Sequence, residues 1–212
     1  MILLTGGSGQ LGRELRKLDE YLAPTRDDLD VTNEASVANY LSVTEPERIV
    51  HAAAYTGTLL ADQSPELAQL CYRTNVLGTR YLVKHARCPI IFISTEAAVH
   101  PYSFYILTKL QAEFEISQHK YGYTILRTSF RKDPFEYEFA FSDMWTIGDS
   151  DHVIAKLIRE EAQKPVWNQT VYVGTGPKTV FQLARRTRPD VKPCVRSDIA
   201  PYLPPMDELM EY

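Results

Sequence analysis

A tyrosine and a lysine, Tyr105 and Lys109, stand four residues apart in a stretch whose apolar spacing predicts a helix over residues 101–120. Side chains four apart share one face of a helix, so the two can act together. A phenol is a poor acid at neutral pH because its reference pKa is ~10, and a neighbouring ammonium lowers that pKa by stabilising the phenolate. The pair predicts a proton donor, although Tyr-xxx-Lys is also common by chance and Tyr105 could be a core tyrosine.

Thr95 carries a hydroxyl group and directly follows the apolar run at residues 90–94, which precedes this helix. The carboxyl ends of parallel strands open into one crevice, where ligands of such sheets bind. We therefore expect the Thr95 hydroxyl to hold a substrate oxygen beside the phenol. The competing interpretation of Thr95 is a turn cap.

A glycine-rich turn follows the first apolar run of the chain. It places Gly6, Gly9 and Gly12 three residues apart, directly after a predicted strand at residues 2–5 and at the start of a predicted helix. Such a turn needs a positive φ, a close approach of the backbone to a pyrophosphate and a helix packed tightly on its strand. The free N–H groups of the helix start then favour an anion. We predict a dinucleotide phosphate turn, and the alternative is a glycine turn without a ligand.

The form of the dinucleotide depends on residues after the second predicted strand. Arg26 stands there with no carboxylate at the strand tip itself, and a guanidinium can pair with the 2′-phosphate of NADP(H). NADP(H) is therefore favoured. NAD(H) stays open, since Asp27 and Asp28 follow directly and Arg26 could be a solvated surface arginine.

Strand-like runs alternate with helical stretches through the first two-thirds of the chain, which predicts a parallel sheet with helices on both faces. The fold class expected is α/β, a Rossmann-type doubly wound parallel sheet with a small C-terminal lobe. The predicted strands are at residues 2–5, 21–23, 48–51, 90–94 and 123–126. The predicted helices contain residues 11–18, residues from a cap at Thr32 or Asn33 to before Pro46, residues 64–84 and residues 101–120.

The pattern changes after Arg127, so we predict a dinucleotide-binding domain over residues 1–130 and a small substrate-binding lobe with an extended, proline-rich tail over residues 131–212. Phe135, Tyr137, Phe139 and Phe141 fall on every second residue, the period of a strand. This stripe suits a core face or a homodimer interface. Residues 151–161 predict a helix, residues 170–173 a strand, and Thr179 a helix cap.

Composition sets outer limits on the partners. The chain has 212 residues, 44% hydrophobic and 24% charged, with a net charge of −4, which argues against a nucleic-acid groove. No apolar run approaches the ~20 residues of a membrane helix. Because the first predicted strand follows Met1 directly, we expect no targeting peptide. The three cysteines and five histidines show no metal-ligand spacing. We expect no metal site, reduced thiols and a cytoplasmic location.

Together the motifs resemble the dTDP-4-dehydrorhamnose reductase branch of the extended short-chain dehydrogenase/reductase family, over about residues 1–130. The segments that carry the resemblance are residues 5–12 (TGGSGQLG), 29–32 (LDVT), 51–56 (HAAAYT, where the family has Asn first), 75–79 (NVLGT), 93–96 (ISTE), 105–110 (YILTKL) and 126–129 (LRTS).

The resemblance implies a soluble enzyme that reduces a nucleotide-linked 4-keto sugar with NAD(P)H, Tyr105 giving the proton. It implies that Thr95 and Tyr105 address the keto oxygen and that Lys109 reaches the nicotinamide ribose. The implied cofactor residues are Gly6, Gly9, Gln10, Leu11 and Gly12 at the pyrophosphate, Asp30 and Val31 near the adenosine, and Ala52, Ala53, Ala54, Tyr55, Asn75, Tyr105 and Lys109 further along; Arg26 joins them for its guanidinium. The implied substrate residues are Thr95, Glu96 and Phe130. Arg131, which follows Phe130, is added because its guanidinium could bind the diphosphate of a nucleotide sugar.

Departures from the family lie on the substrate side. Only nine residues separate Thr95 from Tyr105, Ala97 replaces an aromatic residue, and Phe130 stands where the reductases have Trp. A nucleotide-sugar epimerase, which uses the same Tyr–Lys pair, is one alternative. A non-catalytic NADP-binding regulatory protein is another, and the short loop and lobe favour it. A 4,6-dehydratase is disfavoured, because Ala97 stands where that chemistry needs a second acid–base group.

Overall fold

A computed structural model describes residues 1–58 and 60–199, with side chains described to residue 197. The tail prolines Pro201, Pro204 and Pro205, predicted to be extended, lie outside the described residues. The strands are β1 (Ile2–Thr5), β2 (Arg48–His51), β3 (Ile90–Thr95), β4 (Tyr123–Thr128), β5 (Phe130–Arg131), β6 (Phe139–Phe141), β7 (Trp145–Thr146), β8 (Asp149–Ser150), β9 (Gln169–Tyr172), β10 (Lys178–Thr179) and β11 (Lys192–Cys194).

The helices connect these strands and alternate with them. They are α1 (Gln10–Arg16), α2 (Glu34–Thr44), α3 (Pro65–Tyr72), α4 (Gly78–His85), α5 (Phe104–Ser117), α6 (Asp151–Gln163), α7 (Val180–Ala184) and α8 (Arg196–Ile199), with single turns at Leu60–Asp62 and Glu96–Val99. Within the described part of the chain, no helix combines the length and hydropathy needed to span a bilayer.

The central sheet has five parallel strands in the order β1-β2-β3-β4-β9. Leu22 forms a parallel bridge to Leu3 on the free side of β1, so the chain passes first to one side of β1 and then to the other. The predicted doubly wound sheet is confirmed. The predicted second strand at residues 21–23 was wrong in extent, because Pro24 has no N–H to continue the pairing and only Leu22 pairs. The order reverses beside β1, where such folds bind ligands at the carboxyl ends of the strands.

Apolar cores cover both faces of the sheet, because successive strand residues point to opposite sides. Leu3, Ile49 and Ile90 pack with α2, α4 and α5 on one face. Their neighbours Leu4 and Val50 pack with α1 and α6 on the other. The uninterrupted apolar runs of the sequence are the mark of strands buried on both faces.

Polar caps decide where the helices begin. Asn33 caps α2, and Ser64 with Pro65 starts α3, as predicted. The helix predicted over residues 64–84 is interrupted by a π-helical turn at Arg73–Leu77. The helix predicted from residue 101 begins later, at Phe104, because the Ser103 hydroxyl caps it by accepting from the Ile106 N–H.

The segment after residue 130 is not one separate body. Its helix α6 and strand β9 complete the central sheet and its core, while three short strand pairs, β5–β8, β7–β10 and β6–β11, form the lobe. Phe135, Ala140 and Met144 belong to a small core of the lobe. The single strand suggested by the aromatic stripe was wrong: only Phe139–Phe141 is a strand, and Tyr137 is exposed.

Candidate active site

The glycine turn at residues 6–12 is tightly packed at Gly6 and at Gly12. Gly6 has a φ of +74°, and a Cβ there would stand 2.6 Å from the Ala53 nitrogen. A Cβ on Gly12 would overlap the Gly6 carbonyl oxygen and stand 2.7 Å from Gly7 Cα. Gly9 differs, because its φ of −70° suits any residue and only the Gly6 oxygen, at 3.2 Å, lies near its missing Cβ. The turn therefore leaves an open cradle above Gly9.

The start of α1 is exposed to that cradle. Among the described residues, no side chain caps its first N–H groups. The Gln10 amide donates to Asp151 Oδ2 at 2.9 Å, and the Arg13 guanidinium donates to the Ser8 carbonyl at 2.7 Å. Asp151 begins α6, 141 residues further along the chain, and no local signal in the sequence marks it as the partner of the turn. The cradle fits the predicted pyrophosphate.

The predicted adenosine end contains Arg26, Asp30 and Val31. The Asp30 carboxylate accepts hydrogen bonds from Thr32, and Arg26 Nε lies 3.7 Å from Asp30 Oδ1. The Arg26 side chain is 71% exposed and can turn toward a ligand. Val31 is buried against Gly78, whose missing Cβ would stand 3.1 Å from the Val31 oxygen. Arg26 and Asp30 therefore lie side by side at this end of the crevice.

Residues 52–55 form an irregular segment at the carboxyl end of β2. Asn75, one of the predicted cofactor residues, is 1% exposed. Its Oδ1 accepts from the Tyr55 N–H at 2.8 Å and its Nδ2 donates to the Tyr55 carbonyl at 3.2 Å. Asn75 thus holds the Tyr55 backbone through both of its side-chain polar atoms.

A buried histidine, His51, ends β2 directly before this segment. It is fully buried, and its two ring nitrogens lie 2.7 Å from Thr5 Oγ1 and 3.0 Å from Thr79 Oγ1. Burial, with a smaller effect of Lys109, lowers the pKa of His51 to about 3. The sequence marked His51 only as a departure from the family's Asn.

Acidification is expected to reveal His51 in the free energy of unfolding. The unfolded His has a pKa of ~6.5, so between that pH and about 3 the unfolded chain binds a proton that the folded chain does not. The stability linked to His51 is complete above pH ~6.5 and is lost as the pH falls, by about 2 kcal/mol at pH ~5. Denaturant unfolding at both pH values checks this. The loss should be smaller in His51→Asn, and an equal loss in both proteins would contradict it.

Tyr105 and Lys109 lie on α5, one turn apart, as the sequence predicts. Lys109 is 3% exposed, its Nζ donates to the Ile93 carbonyl at 2.7 Å, and it lies 4.1 Å from the centre of the Phe92 ring. Burial lowers the pKa of Lys109 to about 7, although Glu113 opposes the shift. Its ammonium is therefore held against β3 under the crevice.

The phenol of Tyr105 behaves differently from the expectation based on the pair alone. Burial, followed by the Cys71 thiol and then Tyr102, raises the pKa of Tyr105 above its ordinary value. The predicted lowering of this pKa was wrong, because burial disfavours the charged phenolate. Tyr105 therefore keeps its proton throughout the neutral range, as a donor requires.

Thr95 and Glu96 end β3 at the same edge. Thr95 Oγ1 accepts from the Ala97 N–H at 3.2 Å, so it caps the following turn and still has a hydroxyl proton to donate. Glu96 is 6% exposed, and its two oxygens accept from Thr146 Oγ1 at 2.6 Å and from the Ile147 N–H at 3.1 Å. The carboxylate predicted to bind substrate thus joins the sheet to the lobe, and both of its oxygens are engaged within the protein.

Removing the Glu96 carboxylate is expected to loosen the lobe. Glu96→Ala leaves the buried Thr146 hydroxyl and Ile147 N–H without their acceptor, and we expect a loss of about 2–3 kcal/mol in the free energy of unfolding. Glu96→Gln keeps one acceptor and a group that can donate to Thr146, so it should cost less than about 1 kcal/mol. Denaturant titration of both variants measures the difference. Equal losses would show that the charge of Glu96 matters rather than its hydrogen bonds.

The two remaining predicted substrate residues lie on β5. Phe130 packs against the core formed with α6, and the pair β5–β8 aligns it with Asp149. The Arg131 guanidinium donates to Ser129 Oγ and to the Phe130 carbonyl, both at 3.0 Å. Both residues lie where the sheet meets the lobe. Within the described residues, no group of three or more His, Cys, Asp or Glu is placed to hold a metal ion.

Comparison with known proteins is consistent with this geometry. The family model described as the RmlD substrate binding domain matches residues 1–171. A dTDP-4-dehydrorhamnose reductase of Aggregatibacter actinomycetemcomitans is 32% identical over 151 residues, which are 60% of this chain and 50% of that protein. The chain therefore spans about half the length of this curated relative.

Two crystal structures share the fold. A dTDP-4-dehydrorhamnose reductase from Clostridium acetobutylicum is 25% identical, with a TM-score of 0.78 over 97% of this chain and 88% of that chain. One from Bacillus anthracis, in complex with NADP, is 20% identical, with a TM-score of 0.80 over 97% of this chain and 87% of that chain. The Rossmann-type architecture expected from the sequence is confirmed.

Proposed function

This chain belongs to the RmlD substrate binding domain family, and from that membership and the geometry of its crevice we propose that it is an NADPH-dependent reductase of a nucleotide-linked 4-keto sugar. One observation carries the proposal. The glycine cradle, the Thr95 hydroxyl and the Tyr105–Lys109 pair all stand at the edge where the parallel strands end. The name of the Aggregatibacter relative supports a dTDP-linked substrate.

Residues of the cradle would hold the dinucleotide. The backbone of Gly9, Gln10 and Leu11 would bind the pyrophosphate, and Arg26 would bind the 2′-phosphate that distinguishes NADP(H) from NAD(H). The NADP in the Bacillus anthracis structure supports this preference. When bound, the reduced nicotinamide supplies a hydride.

The chain's own part in the reaction is proton delivery and orientation. Tyr105, which keeps its proton because burial raises its pKa, would donate that proton to the sugar oxygen. Thr95, whose oxygen already accepts from the Ala97 N–H, would donate a hydrogen bond to the same atom and keep its proton. Lys109, whose pKa burial lowers to about 7, would in its protonated form stabilise negative charge that develops in the crevice. Phe130 and Arg131 would contact the sugar nucleotide from the lobe.

NADPH binding and turnover test this proposal together. Fluorescence titration should give a Kd for NADPH lower than that for NADH, and near-ultraviolet absorbance should show NADPH consumed with dTDP-4-dehydrorhamnose. If NADPH is consumed only with GDP- or UDP-linked 4-keto sugars, the enzyme is a reductase of a substrate with a different nucleotide. Tight NADPH binding without consumption of any of them would refute the reductase and favour the epimerase or the regulatory binder.

We also propose a homodimer, formed by the outer face of α5. Leu107, Leu110 and Phe114 are spaced along one side of this helix and are 49%, 38% and 64% exposed, and two copies can pack such a face against itself. Sedimentation should show a dimer that Phe114→Glu converts to a monomer. A wild-type monomer at high concentration would refute it. A cytoplasmic location remains our expectation, supported by the free thiols of Cys71 and Cys88.

A further inference from the structure

A continuous series of buried hydrogen bonds passes through His51. It begins at the Ala53 N–H, which lies 3.3 Å from Thr5 Oγ1, and continues to His51 Nδ1 at 2.7 Å. From His51 Nε2 it continues to Thr79 Oγ1 at 3.0 Å and from there to the Asn75 carbonyl at 2.6 Å. We call these four bonds the His51 chain. It joins the ends of β1 and β2 to Thr79 of α4 and to Asn75 of the π-helical turn before it.

The two ends of the His51 chain determine where each proton lies. A backbone N–H can only donate and a carbonyl can only accept. Thr79 must therefore donate to Asn75 and accept from His51, which places a proton on Nε2. Burial keeps the ring neutral, so Nδ1 carries no proton and accepts from the Thr5 hydroxyl. Thr5, in turn, accepts from Ala53, and every donor has an acceptor.

The other side of the crevice is connected to the same residues. The Asn75 side chain binds the Tyr55 backbone and also donates to Thr108 Oγ1 at 2.9 Å. Thr108 donates to the Tyr105 carbonyl at 2.6 Å. Residues 53–55 are thus held at Ala53 by Thr5 and at Tyr55 by Asn75, and the same network ends on the backbone of the catalytic tyrosine.

From this arrangement we infer that His51, as the neutral Nε2–H form, is a positioning residue for cofactor binding: it fixes residues 53–55 against the glycine turn. The inference rests on the proposed function, in which these residues line the cofactor. Ala53 and the glycine turn are in close contact, because a Cβ on Gly6 would stand 2.6 Å from the Ala53 nitrogen. A shift of Ala53 of a few tenths of an ångström would change the shape of the turn that binds the pyrophosphate.

Two amide substitutions separate the halves of the His51 chain. In His51→Asn the side-chain oxygen can take the place of Nδ1 and accept from Thr5, whereas in His51→Gln the side-chain nitrogen can take the place of Nε2 and donate to Thr79. We expect the Kd for NADPH to rise about tenfold in His51→Gln and less than about threefold in His51→Asn, because the bond to Thr5 holds Ala53. His119→Asn is the matched control. That histidine is also buried, at 5% exposed, but its ring nitrogens lie against the Val83 and Cys88 carbonyls, away from the crevice, so the Kd should not change.

Measurements on the ligand-free protein separate this inference from the proposed function. Nitrogen-15 spectra of the imidazole should show the proton on Nε2 at pH 7, and amide exchange at Ala53 should be faster in His51→Gln than in His51→Asn. A proton on Nδ1, unchanged exchange at Ala53, or equal NADPH affinity in the wild type and His51→Gln would overturn the inference. If the wild type fails to bind NADPH, the proposed function falls, and with it the cofactor role of His51. The spectra and exchange rates would still show whether the His51 chain holds residues 53–55.

Discussion

Tyr105→Phe is expected to lower kcat for NADPH-dependent reduction by about 10²–10⁴-fold, the range that general acid catalysis contributes, while the Kd for NADPH changes less than about twofold. The substitution removes one oxygen and keeps the aromatic ring that α5 carries at this position. Because burial raises the pKa of Tyr105, this phenol is protonated at neutral pH and can act as the acid itself. The sugar oxygen in the variant would have to take its proton from water.

Paired measurements decide this prediction. Steady-state rates with the keto sugar and fluorescence titration of NADPH should be made on the same preparations. Tyr121→Phe is the control, since this exposed tyrosine precedes β4 at the opposite edge of the sheet. A Tyr105→Phe protein with full activity would remove the phenol from the mechanism, and one that lost NADPH binding would assign it to the cofactor site.

Gly12→Ala is expected to weaken NADPH binding more than about 100-fold and also to lower the melting temperature. Its Cβ would overlap the Gly6 oxygen and meet Gly7 Cα at 2.7 Å, so the turn would have to open. Alanine has the higher helix propensity, by about 1 kcal/mol, but overpacking of this kind costs about 1–3 kcal/mol. The steric effect therefore outweighs the propensity, and the protein loses stability together with the cradle.

Gly9→Ala separates the cradle from the fold. Its φ of −70° suits alanine and its Cβ has only the Gly6 oxygen nearby, at 3.2 Å, so the melting temperature should stay within about 2 °C of the wild type. The new methyl group would stand in the open cradle, and NADPH affinity should fall at least about tenfold. Unchanged affinity in a folded Gly9→Ala protein would show that the pyrophosphate does not lie above Gly9.

Local sequence rules predicted most of the sheet and its helices. The strands β1 and β2 have the bounds that their apolar runs indicate, and α2 and α3 begin at the caps Asn33 and Ser64. These features depend on residues that are close in the chain, so a pattern can show them. The aromatic stripe misled because alternation predicts a strand only where a partner strand is available, and Phe135 instead packs in the lobe core.

The sequence by itself determined the candidate chemistry: the glycine spacing, the Tyr105–Lys109 pair on one helix and the Thr95 hydroxyl at a strand end. Only the tertiary structure decided what surrounds these groups. It places the Glu96 carboxylate against Thr146 of the lobe rather than free in the crevice. It buries Tyr105, which raises the pKa of that phenol. It also joins His51 to Thr5 and Thr79, across 46 and 28 residues of sequence. The physical reason is that burial and hydrogen-bond order depend on which distant segments meet, and no spacing within one segment specifies that.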